Sequence, residues 1–109
     1  MKKRFIVLLD ETTKEQNDAF YAAAKNKGLG WWHWIRNAWL FVDLSGAMTA
    51  SELRDLADKH YPGVDKIVLE LRHDGSDTWS GYGPTKKGKN MFSWVHKNWA
   101  KSQPTPESQ

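Results

Sequence analysis

The run Gly30-Trp31-Trp32-His33-Trp34-Ile35-Arg36-Asn37-Ala38-Trp39-Leu40-Phe41-Val42-Asp43-Leu44 holds four of the chain's seven tryptophans and decides how the rest is read. It is too long for one strand, and Arg36-Asn37 breaks its apolar pattern. It therefore reads as a hairpin: Trp31–Ile35, a tight turn at Arg36-Asn37, then Ala38–Leu44. Asn37 suits such a turn because its short polar side chain tolerates positive φ. Side chains alternate along a strand, so Ala38, Leu40, Val42 and Leu44 share one face and Trp39, Phe41 and Asp43 share the other. The small aliphatic set suits packing beneath helices. Trp39 and Phe41 are then expected on an open sheet face, where an aromatic patch marks an interaction site. Three occupants compete for it: a second copy of the chain, the chain's own C-terminal third with Trp79, Trp94 and Trp99, or stacked nucleobases.

Outward from the hairpin, Phe5–Leu9 is a continuous apolar run bounded by charges, the pattern of a buried central strand. Thr12 with Glu15, or Thr13 with Gln16, can form a capping box; Phe20, Ala23 and Ala24 follow at helical spacing, and Gly28 ends the helix. Thr49 and Glu52 form a second box ahead of Leu53, Leu56, Ala57 and His60, with Pro62-Gly63 as the stop. Ile67, Leu69 and Leu71 alternate with Val68, Glu70 and Arg72, as in a strand with one buried face. His73–Asp77 has turn composition, Trp79–Gly83 reads as a short extra strand, and Phe92, Val95 and Trp99 mark a last helix. The order is β-α-β-β-α-β plus an appendix. That predicts an α+β, ferredoxin-like antiparallel sheet with helices on one face. Residues 1–101 are expected to form one domain and 102–109 a disordered tail.

The 109 residues carry a formal net charge of +3 and no cysteine, which excludes disulfides and thiolate metal sites. The apolar start is too short for a secretory h-region, and no stretch is long enough to span a membrane. A cytoplasmic location with no membrane partner is expected. From Gly81 to Pro106 there is no acid, while Lys86, Lys87, Lys89, Lys97 and Lys101 fall there. A basic segment of this kind suits phosphate or an acidic partner.

Gly30-Trp31-Trp32-His33, Ala38-Trp39-Leu40-Phe41-Val42, Ser51-Glu52-Leu53-Arg54-Asp55 and Trp79-Ser80-Gly81 together resemble short bacterial proteins labelled SinR-like. These are similar in shape to the small CRISPR-adaptation Cas protein and to VapD-type toxins. The Cas resemblance implies a homodimer, a nucleic-acid ligand and, in some members, a metal-dependent ribonuclease centred on an Asp that ends the first strand. Asp10 matches that position, so a dimer would bring two Asp10 carboxylates to an axis where they could hold Mg²⁺. The sequence departs from that pattern in Glu11-Thr12-Thr13-Lys14, where an Asp and paired arginines are usual. Asn37–Leu44 also resembles the RNP1 segment of RNA-recognition motifs, with Trp39 and Phe41 at the stacking positions. It lacks the leading Lys/Arg-Gly.

Gly83–Asn90 approaches Walker A spacing, but Asn90 stands where Ser or Thr would bind Mg²⁺. His33, His60, His73 and His96 show no zinc-ligand spacing, and no serine has a nucleophile-elbow setting. The expectation is a small homodimer that binds RNA, DNA or a nucleotide, without a required cofactor. Trp39 and Phe41 would stack, while Arg36, Lys86, Lys87 and Lys89 would meet phosphates. Two alternatives are a weak Mg²⁺-dependent endoribonuclease using Asp10 as catalytic and metal residue, and a protein-binding inhibitor or antitoxin-like module.

Overall fold

Apolar alternation sets the sheet. In a computed structural model, which describes residues 1–71 and 80–99, the first apolar run becomes β1 (Lys3–Leu9). It is followed by α1 (Lys14–Asn26), β2 (Gly30–Ile35), β3 (Ala38–Asp43), α2 (Ala50–His60) and β4 (Lys66–Glu70). The sheet order is β2-β3-β1-β4, with β1 antiparallel to both β3 and β4 and β2 antiparallel to β3. This is the expected ferredoxin-like α+β arrangement. A short hairpin, β5 (Thr85–Lys86) with β6 (Lys89–Asn90), and a π-helical segment, Val95–Trp99, follow it. The predicted turn at residues 73–77, the tail at 102–109 and the position of Trp79 lie outside the described residues. Residues 80–83 form no strand.

Local chemistry places the helices. Thr13 caps α1 through a reciprocal box with Gln16, and Thr49 caps α2 through one with Glu52. Gly28, at φ 79°, takes the left-handed position that ends α1. Both helices pack on one sheet face, where Phe5, Val7, Trp39, Phe41, Phe20, Ala24, Leu53, Ala57 and Tyr61 form the main core. Phe20 of α1 meets Trp39 and Phe41 edge-on, at centroid distances of 5.3 and 5.6 Å.

The face assignment of β3 is therefore the reverse of the expectation. Trp39 is 1% exposed and Phe41 0%, both beneath the helices rather than on the open face. The physical reason is space. The two helices stand over the sheet with small residues, Ala24 and Ala57, at the contact, and large rings from β3 fill what those alanines leave. Leu40, with Ile6 of β1, takes the opposite face.

That opposite face is also covered in part. Trp32, Met91, Val95 and Trp99 form a second buried cluster, with Ile6, Leu40, Leu71, Phe92 and Trp94 against it. The Trp32 indole donates to the Met91 carbonyl at 2.6 Å. Gly30 makes room for this layer: a Cβ there would sit 2.6 Å from Val42 Cγ1 and 3.6 Å from the Trp94 ring. Arg4, buried on this face, lies 5.3 Å from the Trp99 ring centroid and donates to the Trp99 carbonyl at 3.5 Å. Lys2 donates to the Asn98 carbonyl at 2.9 Å, so two cations hold the last carbonyls of the π-helical segment. Among the described residues no helix is long and apolar enough to cross a membrane.

Candidate functional site

The hairpin turn falls at Arg36-Asn37, as its sequence predicts, because Ile35 pairs with Ala38. The backbone solution differs. Among the described residues no non-glycine residue has positive φ, so the turn does not rely on Asn37 in that conformation. Instead the register slips: Trp32 pairs with Leu40 and Ile35 with Ala38, which leaves His33 and Trp34 together opposite Trp39. One extra residue in a strand bends it and re-aims the side chains there. His33 and Trp34 consequently both reach the helix side of the sheet edge, and both also border the groove beside Trp32 and Trp94 on the other side.

Asn37 contributes through its side chain. It accepts from the Thr12 hydroxyl at 2.8 Å and donates to the Asp10 carbonyl at 3.2 Å, while the Asn37 backbone carbonyl accepts from Leu9 N–H at 2.9 Å. Asn17 donates to Thr12 Oγ1 at 3.2 Å, and the Tyr61 phenol donates to Asn17 Oδ1 at 2.6 Å. The turn, the entry to α1 and the end of α2 are thus joined by one hydrogen-bonded chain. Burial pushes the Tyr61 phenol up to about 12, so it stays a donor throughout the physiological range. The Trp39 indole N–H acts electrostatically on that phenol but makes no hydrogen bond of proper geometry.

These constraints shape an open cleft of about 660 Å³ between α1 and β2. That size lies within the range of small-molecule sites. Tyr21, Trp31 and Trp34 supply its rings, Lys14 and Arg36 its cations, and Thr12, Thr13, Asn17 and Asp18 its neutral and acidic groups. Trp31 is 39% exposed and Trp34 46%, although both are large and apolar. Tyr21 meets Trp31 edge-on with centroids 4.8 Å apart. His33 stacks on Trp39 at 3.6 Å and an interplanar angle of 3°, so Trp39 is the floor beneath it. His33 Nε2 lies 2.8 Å from the Arg36 carbonyl, which can only accept, so this nitrogen carries the proton. Burial lowers the His33 pKa below its ordinary value, against the opposing pull of that carbonyl, and favours the neutral ring. Lys14 Nζ pairs with Asp18 Oδ2 at 2.7 Å and offsets the cleft's carboxylate.

Of the residues the sequence singled out, Arg36 reaches this cleft and Trp39 supports it from below. Phe41 lies buried in the core, so the RNP1-like pair does not present two rings to solvent. Neither Trp39 nor Phe41 is available for base stacking or as a self-interface. Lys86, Lys87 and Lys89 are exposed on the β5–β6 hairpin and are not among the residues lining the cleft. That hairpin leads into a π-helical segment rather than a regular α-helix. Asp10 directly follows β1, exposed, with its N–H donating to the Asp65 carbonyl at 2.9 Å. Among the described residues no three His, Cys, Asp or Glu side chains gather to hold a metal ion. Tyr21, Trp31, His33 and Trp34 escaped the sequence reading because regular alternation sends Trp31 and Trp34 to opposite faces, and only the bulge brings them together. No protein-family model, curated protein or solved structure matches the chain.

Proposed function

We propose that the cleft between α1 and β2 binds a nucleobase, as a nucleotide or as part of a single-stranded nucleic acid. The carrying observation is that two tryptophans exposed over some two fifths of their surface, Trp31 and Trp34, face one cleft together with two cations. Exposed indoles beside cations suit a flat, anionic, aromatic ligand: the rings stack on the base, and Arg36 and Lys14 approach the phosphate. The N-terminus of α1, which opens at the cleft wall, adds a field favourable to that anion. The hydrogen-bonded chain from Tyr61 to Asn37 fixes the walls before a ligand arrives, which limits the ordering cost of binding. Lys86, Lys87 and Lys89 serve a longer strand that leaves the cleft and meets phosphates elsewhere on the surface.

Tryptophan fluorescence tests this directly. Nucleoside monophosphates and short single-stranded RNA and DNA are expected to quench emission at low salt. Trp34→Ala is expected to weaken binding by about 1–3 kcal/mol, the usual contribution of one stacked base. Replacing Lys86, Lys87 and Lys89 with alanine should weaken oligonucleotide binding and flatten its salt dependence while leaving a mononucleotide unaffected. Absence of quenching by every one of these ligands, or quenching that survives loss of both Trp31 and Trp34, would overturn the reading.

A further inference from the structure

Away from the cleft, exposed aliphatic side chains concentrate on the sheet face opposite α1 and α2, at the end the C-terminal segment leaves open. Leu8, Ile67 and Leu69 lie together there, and Ile67 is 51% exposed. They adjoin the outer edge of β4. The two edges of the sheet differ. The β2 edge is interrupted by its bulge, a feature that discourages further pairing. The β4 edge is regular, and no described strand pairs with it.

The register of β4 against β1 fixes what that edge offers. Leu71 N–H donates to the Arg4 carbonyl and Asp10 N–H to the Asp65 carbonyl, both at 2.9 Å. Odd-numbered residues of β4 therefore bond inward to β1, and the N–H and C=O groups of Lys66, Val68 and Glu70 point outward. We infer that a second copy of this chain pairs with β4 in antiparallel fashion about a two-fold axis at Val68. In that register Val68 faces its own copy, Lys66 faces Glu70 of the other copy at both ends, and Ile67 faces Leu69. Roughly six backbone hydrogen bonds form, all between groups that already point outward. Opposite charges across a strand pair are favourable, and the aliphatic pairs extend the patch around Leu8 across the axis. A slip of two residues sets Lys66 against Val68 and loses both ion pairs. A slip of one turns the aliphatic residues toward the helix side. Lys66, which already bonds Asp58 at 2.7 Å, would stand between two carboxylates.

The product is a single eight-stranded sheet with all four helices on one face and a ligand cleft at each far edge. The interface is independent of the nucleotide reading. It also keeps the two Asp10 residues apart: each sits opposite Asp65, three positions along the strand from the axis and one strand further out, which separates them by roughly 25 Å.

Sedimentation of the full chain across a concentration series is expected to show a monomer–dimer equilibrium. Glu70→Lys should raise the dimer dissociation constant about tenfold or more, since both cross-strand pairs become repulsive. Lys66→Glu should do the same, and an equimolar mixture of the two variants should recover a dimer, because each Lys then meets a Glu. Amide hydrogen exchange on the unaltered chain gives a reading free of folding effects: the amides of Lys66, Val68 and Glu70 should gain protection as concentration rises. A chain that stays monomeric at high micromolar concentration overturns the inference. So does a dimer whose concentration-dependent protection lies elsewhere than at those three amides.

Discussion

Asp43 shows how one buried carboxylate closes a loop. Burial alone would raise its pKa, but the Met48 amide at 2.7 Å, the Ser45 hydroxyl at 2.7 Å and the Ser45 amide at 3.1 Å outweigh it and hold the carboxyl below its ordinary range. A carboxylate with a lowered folded pKa contributes stability that is present above its unfolded value of 3.8 and is lost as pH falls through the folded one. Asp43→Asn is expected to cost about 1–3 kcal/mol in urea unfolding at neutral pH. It should also flatten the acid limb of the stability curve below pH 3.8. His33 acts in a different window. Its folded pKa lies below the 6.5 of the free side chain, so the unfolded chain takes up the proton first. Stability should fall as pH drops below 6.5 and level off once the folded ring also protonates. Thermal melts of the native chain and His33→Gln between pH 8 and pH 5 check this, with the slope in that interval expected to shrink in the variant.

At the scale of elements, the C-terminal segment is part of the fold's second core. Trp32 fills it from β2, and Met91, Val95 and Trp99 from above. Trp32→Ala should cost about 3–5 kcal/mol, as truncation of a buried aromatic does. It should also raise binding of a hydrophobic dye, since Ile6 and Leu40 lose their cover. Asn37→Ala removes the contacts to Thr12 and Asp10 that tie the turn to β1 and α1. About 1–2 kcal/mol of destabilisation is expected in urea titrations. The element boundaries were largely legible. Both capping boxes, the glycine after α1 and the two-residue turn are local chemistry, and local chemistry is what sequence patterns record. The bulge at His33-Trp34 was not legible, because it depends on how β2 meets β3 and leaves no distinct residue signature.

Across the whole molecule, the cleft and the β4 edge lie at opposite margins of one sheet, so their effects should separate. Glu70→Lys is expected to leave mononucleotide affinity unchanged within about twofold, and Trp34→Ala to leave the dimer dissociation constant unchanged to the same degree, because such distant sites behave additively. Fluorescence titration and sedimentation of both variants measure this. Of the candidate site, Arg36 was legible as an exposed cation in a turn, whereas the rings that matter were assigned elsewhere. Trp39 and Phe41 looked functional because aromatic residues on an open face would be costly. The alternative, that two small-residue helices leave space for them, requires knowing how closely the helices approach the sheet.

The sequence by itself determined the order of the first six elements, the ends of α1 and α2, the hairpin turn and, through these, the ferredoxin-like topology, since each follows from periodicity and capping within a few residues; the β5–β6 hairpin carried no such signal. Only the tertiary structure decided which face of β3 is core and which tryptophans are left at the surface. Alternation divides a strand's side chains into two sets, but both sets of β3 carry large apolar side chains, so neither is marked for the inside. The choice rests on volume: the rings fit beneath α1 and α2, while Leu40 and Trp32 suit the layer built by Met91, Val95 and Trp99.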